Sequence, residues 1–234
     1  MMDEKVGRDE EQFVMEQLIS FIEKDNIEQF REQFFELHPY EQAQFYEKVT
    51  PPIRQKIYYY LSPQELAEVF QALEIDDDTY VEFLNEMDVS YAAAMLSEMN
   101  TDDVVDVFHE LDDEDRTQYL TLMDDETVEE IHELMQYADY TAGSIMTTEY
   151  VSINENSTTR TAMNILRNEA PTAETIYYIF ITNMKKQLVG VISLRDLIVA
   201  GENVLIRDIM NERVVSVQAS DDQEEVAQIM RDYN

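Results

Sequence analysis

Residues 75–124 read IDDDTYVEFLNE, MDVSYAAAMLSE, MNTDDVVDVFHE, LDDEDRTQYLTL and MD, and their spacing decides the fold of the first half. Each twelve-residue block opens on an apolar anchor: Ile75, Met87, Met99, Leu111 and then Met123. A capping or turn residue follows at once, as Asp76, Asp88, Asn100, Asp112 and Asp124. Eight and nine residues past the anchor stand apolar or aromatic pairs, such as Phe83–Leu84, Met95–Leu96 and Val107–Phe108. A unit of this length with a cap at one end predicts one short helix and one tight turn. The pattern extends in both directions. Leu37, Val49 and Leu61 are earlier anchors, followed by Pro39, Pro51 and Ser62, with pairs at Phe45–Tyr46 and Val69–Phe70. Met135 closes the series, and Ile131–His132 breaks the apolar pairing. Two units form a helical hairpin that cannot bury its apolar face alone, so stacked hairpins predict a short α-superhelix. Ahead of it, Phe13, Val14, Leu18, Phe21 and Ile22 mark a longer amphipathic helix. Asp25 or Asn26 then caps a second helix carrying Ile27, Phe30 and Phe34.

Charge separates the chain into two parts. The 234 residues carry 51 acids and 16 bases, a net charge of −35. Residues 1–140 hold 38 of the acids and 8 of the bases, a balance of −30. From Asp76 to Asp139 there are 22 acids and one base, Arg116. Such a surface repels nucleic acid and anionic membrane. The absence of cysteine excludes disulfides, zinc–thiolate sites and thiol nucleophiles, and a cytosolic setting fits it. No run approaches the roughly 18 apolar residues of a membrane helix. MMDEKVGRDEEQ lacks the apolar stretch of a signal peptide.

Past QYADYTAGS at 136–144 the period changes. VSI at 151–153 reads as a strand, and Asn156–Ser157–Thr158 caps a helix containing Ala162, Ile165 and Leu166, ended near Pro171. IYYIFIT at 176–182 and QLVGVIS at 187–193 are strands joined by the turn Asn183–Lys186, and LRDLIVA returns to helix. The order is β-α-β-β-α. It then begins again: SIMTTEYVSINENSTTRTAMNIL at 144–166 aligns without gaps on DIMNERVVSVQASDDQEEVAQIM at 208–230. The second copy stops after its first helix, so the chain is expected to be a fragment. The predicted class is α + α/β: an acidic α-superhelical domain over 1–136, a first β-α-β-β-α domain over 137–202, and the truncated start of a second over 203–234.

The acidic helical repeat followed by Tyr140-Thr141-Ala142-Gly143-Ser144-Ile145-Met146-Thr147 resembles the MgtE family of magnesium transporters. Ala173-Glu174-Thr175-Ile176-Tyr177-Tyr178-Ile179 and Ser193-Leu194-Arg195-Asp196-Leu197-Ile198-Val199-Ala200 look like that family's first CBS domain. Asp222-Gln223-Glu224-Glu225-Val226-Ala227 looks like the start of its second. The resemblance covers nearly the whole chain. It implies the sensor part of a transporter, lying at the cytoplasmic face of the cell membrane and regulating a C-terminal pore that this chain does not contain. It also implies a homodimer formed through the CBS domains.

The chemistry of the acids points the same way. Mg²⁺ prefers oxygen ligands, keeps several waters and often binds through one or two carboxylates. Asp102 and Asp106 are four apart and share a helical face, where like charges destabilise a bare helix and favour a bound cation; Asp103 is expected off that face, as a cap. The resemblance places metal-contacting residues at Glu68, Asp102, Asp106 and Glu224. It places a further one at Asn234, where the family has aspartate and a neutral amide is the weaker ligand. An EF-hand is excluded, because Asp112-Asp113-Glu114-Asp115 opens a stretch without the glycine at loop position six. For the CBS cleft the resemblance implies an adenosine nucleotide such as ATP. Tyr178 would stack on adenine, Arg195 would meet a phosphate and Asp196 would accept ribose hydroxyls. No enzyme is expected: His38, His109 and His132 are scattered on helices, and there is no H-E-x-x-H, G-x-S-x-G or P-loop. The expected function is Mg²⁺ sensing by ions that bridge the acidic repeat and the CBS part. The alternative is an α-repeat scaffold docking a basic protein, with a nucleotide-sensing CBS module attached.

Overall fold

The structure, a computed structural model, describes residues 3–233. The chain divides into two compact units. One runs to Met99 and takes in Asp103–Glu130; the other takes in Asn100–Asp102 and the residues from Ile131 onward.

The first unit is helical. Its helices are α1 (Asp3–Glu23), α2 (Ile27–Phe34), α3 (Pro39–Lys48), α4 (Pro51–Tyr60), α5 (Pro63–Gln71), α6 (Asp77–Asn85), α7 (Val89–Leu96), α8 (Thr101–Glu110), α9 (Asp113–Leu122) and α10 (Asp125–Leu134), with the last residues of α10 and the first two of α8 counted in the second unit. Every repeat block supplies one helix. Ser62, Asp76, Asp88 and Asp112 are N-caps whose side chains accept the first-turn N–H groups. Asp124 accepts from the N–H groups of Glu126 and Thr127 in the same way. In two blocks the cap stands just before the proline. His38 and Thr50 are the N-caps of α3 and α4, one residue ahead of Pro39 and Pro51, because proline suits the first helical position, where its missing N–H costs nothing. His38 is therefore a cap and not a helix-interior residue. Asn26, not Asp25, caps α2; Asp25 sits at φ 53° and pairs with Lys56.

Alternate helices stack, α3 on α5, α5 on α7 and α7 on α9, as a repeat superhelix requires. The paired positions fill its core: Tyr46, Val69, Phe70, Leu84, Met95, Leu96 and Phe108 are buried. Each such side chain contributes about 1.5–3 kcal/mol on leaving water. Two arginines tie blocks together. Arg31 donates to both oxygens of Glu65 at 2.9 and 2.6 Å, and Arg54 does the same to Glu86. The Arg31 guanidinium, aided by Ser62 against partial burial, holds the Glu65 carboxyl down from 4.5 to about 2. A pKa depressed on folding stabilises the fold above the unfolded value and loses that contribution as pH falls through the folded one. Glu65→Gln is therefore expected to destabilise at pH 7 and to cost progressively less from pH 4.5 toward pH 2, as read by urea midpoints. A constant difference between the two proteins over that range would exclude this assignment.

The second unit is built on a three-stranded sheet in the order β1 (Tyr150–Asn154), β2 (Thr175–Thr182), β3 (Leu188–Ser193). β1 and β2 are parallel, joined through α11 (Thr159–Glu169), and β2 and β3 form an antiparallel hairpin. Lys186 adopts φ 59° in the turn. α12 (Leu194–Val199) completes the β-α-β-β-α unit, and α13 (Gln223–Tyr233) follows. One sheet face is covered: Val151, Ile153, Ile179, Ile181 and Ile192 pack with Ala162, Leu166, Leu197 and Ile206.

The internal repeat is visible as a reciprocal exchange. Thr141 bridges Asp222, and Leu205 bridges Thr158. Each lead-in segment hydrogen-bonds the strand–helix junction of the other copy. Ala142 N–H donates to Asp221 and Gly143 N–H to Ala219, while Ile206 N–H donates to Ser157 and Arg207 N–H to Glu155. Gly143 is needed for closeness, since a Cβ there would lie 2.4 Å from the Tyr137 ring. The second copy departs from the first in one respect. Residues 215–217, aligned with β1, form no strand; Val215 is half exposed and no residue of α13 is buried. A strand needs a ladder partner and a helix needs a face to cover; among the described residues neither is supplied there.

Candidate functional site

α8 brings the acids of the repeat onto one short helix. Thr101 starts it, and Val104, Val105 and Phe108 bury its inner face. Asp102 is half-buried in the first turn and Asp106 is exposed one turn later. At 3.6 residues per turn, Asp106 neighbours both Asp102 and Asp103. The structure puts Asp103 inside the helix at its third position, not at the cap. Asp103, Asp106 and Glu110 together line a cavity of about 170 Å³ whose floor includes Phe70, Val81 and Val107. Asp103 also accepts from the Gln71 amide at 3.3 Å, tying α8 to α5. Glu68 is exposed on α5, one turn before Gln71. Tyr80 lines the same cavity. Burial and then the charge of Asp103 push its hydroxyl above the ordinary tyrosine range.

Glu224 stands exposed in the first turn of α13, where its N–H donates to the capping carboxylate of Asp222 at 2.8 Å. Asn234 lies outside the described residues. The donor set suits Mg²⁺, being carboxylate oxygen throughout. Among the described residues no three acidic or histidine side chains converge to hold a metal.

In the second unit, Tyr177, Tyr178, Ser193, Leu194, Arg195, Ile198 and Val199 line an open groove of about 760 Å³. Tyr177 and Tyr178 are exposed on β2, and Arg195 is exposed at the start of α12. Asp196 does not line the groove. Its Oδ2 accepts from Ser193 Oγ at 2.7 Å, and its N–H donates to the same Ser193 oxygen. Ser193 is the cap that turns β3 into α12. The sequence signal missed Ile198 and Val199, which the helical period sends outward beside the tyrosines although they are apolar.

Residues 37–140 match the MgtE intracellular N domain, and residues 142–203 and 206–234 match the CBS domain. The chain is 57% identical to the magnesium transporter MgtE of Enterococcus faecalis over 96% of its length, covering 49% of that protein. It is 33% identical to MgtE of Bacillus subtilis over 93% of its length, covering 48% of that protein. It thus spans about half the length of these curated relatives. Among solved structures, the soluble part of a magnesium transporter matches at TM-score 0.91 and 49% identity, with 95% of this chain and 87% of that one covered. The cytosolic domain of the Mg²⁺ channel MgtE in complex with ATP matches at TM-score 0.82 and 33% identity, with 92% and 88% covered. No described helix is long and apolar enough to cross a membrane. From the helical acidic repeat, the CBS sheet and these similarities together, the chain belongs to the MgtE family of magnesium transporters.

Proposed function

We propose that this chain is the cytoplasmic Mg²⁺-sensing region of a membrane magnesium transporter. Carboxylates of the acidic repeat, Glu68, Asp102 and Asp106, and of the CBS part, Glu224 with Asn234 as a weaker neutral ligand, bind Mg²⁺. At low Mg²⁺ the two acidic bodies repel; divalent ions offset that repulsion and favour a compact form. The compact form takes up more ions, so its population rises with Mg²⁺. In the full-length protein that change gates a C-terminal membrane pore, and a second copy joins through the CBS part. The observation that carries this reading is the acid content of Asp76–Asp139, 22 acids to one base, in a chain of this family. A small-angle scattering titration tests it. The radius of gyration is expected to fall saturably with Mg²⁺. An equal fall in K⁺ at matched ionic strength would reduce the effect to screening.

The groove beside Tyr178 supports a second ligand. A relative's cytosolic domain is described in complex with ATP, and the groove here offers tyrosine faces with Arg195 at its rim. We assign it an adenosine nucleotide, with base stacking on Tyr178 and phosphate at Arg195. Asp196 would have to leave Ser193 to reach a ribose. Calorimetry is expected to give saturable ATP binding that Tyr178→Ala and Arg195→Ala each weaken about tenfold. Undiminished binding in both variants would move the nucleotide elsewhere.

A further inference from the structure

Glu149 lies in the segment Thr147-Thr148-Glu149 that leads into β1, and it carries no role in the reading above. Its carboxylate is saturated with donors. Oε1 accepts from the Thr101 N–H at 2.9 Å and from the Thr101 hydroxyl at 2.8 Å. Oε2 accepts from the Thr147 hydroxyl at 2.7 Å and the Thr148 N–H at 3.2 Å. Thr101 is 5% exposed, and it begins α8. Glu149's own backbone is fixed by a bond from Glu174 N–H to its carbonyl at 2.9 Å. Burial works against its charge, but the donors from Thr101 and Thr147 outweigh it and hold the carboxyl below the usual range. All these groups belong to the second unit, which includes Asn100–Asp102.

The contact is long-range, where much of the capping in the repeat is local. α5, α6, α7 and α9 are capped by side chains at the position just before the helix. At the start of α8 the Thr101 N–H goes to a carboxylate 48 residues further along the chain. A negative charge at a helix N-terminus is favourable, and here its hydrogen bonds also fix the rotamer of Thr101. Asp102 is the next residue, half-buried.

We propose that Glu149 is a positioning residue for Asp102. By gripping Thr101 through both its N–H and its hydroxyl, it sets where the Asp102 carboxylate stands and so tunes the Mg²⁺ concentration at which the chain responds. This rests on the metal-sensing reading, and the test separates the two. Glu149→Ala and the conservative Glu149→Gln are compared with the parent chain by hydrogen exchange without metal and by scattering with Mg²⁺. Without metal, the Thr101 amide is expected to exchange about tenfold faster in Glu149→Ala. With Mg²⁺, the compaction midpoint is expected to rise about threefold or more, with Glu149→Gln intermediate because one amide oxygen still accepts from Thr101. Combined with Asp102→Asn, the second change is expected to add little, since both act through one carboxylate. Additive shifts, or an unmoved midpoint despite faster exchange, would overturn the proposal and leave Glu149 a purely structural cap. A parent chain that ignores Mg²⁺ would overturn the sensing reading and this proposal with it, whatever the exchange data show about the cap.

Discussion

Arg54→Ala is expected to destabilise the helical unit by about 3–5 kcal/mol, the usual cost of removing one partner from a buried ion pair. Arg54 is 6% exposed. Its Nε and Nη2 each donate to Glu86 at 2.7 Å, and Nη1 donates to the Val49 carbonyl at 2.5 Å. The guanidinium lies 4.4 Å from the Phe83 ring centroid. One side chain therefore joins α4 to α6 and closes the turn between α3 and α4. Its loss leaves the Glu86 carboxylate, 20% exposed, with the long Tyr58 hydroxyl bond of 3.4 Å in place of a bidentate pair, and frees the Val49 carbonyl beside aromatic rings. Buried charge without a partner is what makes such a change severe. The double variant Arg54→Met with Glu86→Leu removes both charges and is expected to recover most of the loss. Urea unfolding followed by circular dichroism reads both. A single variant within about 1 kcal/mol of the parent would contradict the role given to the clamp.

The second large effect concerns the metal response. Asp102→Asn with Asp106→Asn keeps side-chain size while removing two charges from α8. Helix content should hold or rise slightly, because like charges four apart oppose a helix. The Mg²⁺ midpoint for compaction is expected to rise about tenfold for each carboxylate that contacts the ion, at roughly 1.5 kcal/mol per charge-assisted contact. Limited proteolysis across 136–144 gives an independent readout, with Mg²⁺ protection weakened in the double variant. Protection unchanged from the parent would remove these two residues from the sensing surface and shift attention to Asp103 and Glu110, which share the cavity with Asp106.

The helical repeat was legible because one period carries both its signals. Apolar pairs such as Phe83–Leu84 and Met95–Leu96 define the buried face, and Asp76, Asp88 and Asp112 define the starts. The caps Thr50 and His38 were less legible, because a following proline marks the helix start more loudly than the cap before it. The strand at 215–217 was expected from its likeness to 151–153, yet a strand is a property of two segments and local sequence cannot supply the partner. Site residues were less legible still. An acid that caps, one that is solvated and one that meets a cation look alike in sequence; Asp103 could be told from a cap only once its place at the third position of α8 was visible. Glu149 was invisible for the same reason, since its partner lies 48 residues away.

The exchange at Thr141–Asp222 and Thr158–Leu205 has a consequence for how this molecule can be divided. Neither copy owns the segment that seals its own junction; each borrows it from its twin. Trimming the chain at residue 203 would strip the backing from Ser157 and Thr159 and set Tyr140–Gly143 adrift together. Duplication followed by such mutual lending makes a module that is inherited whole or lost whole, and any loosening of one copy must be felt at the doorway of the other.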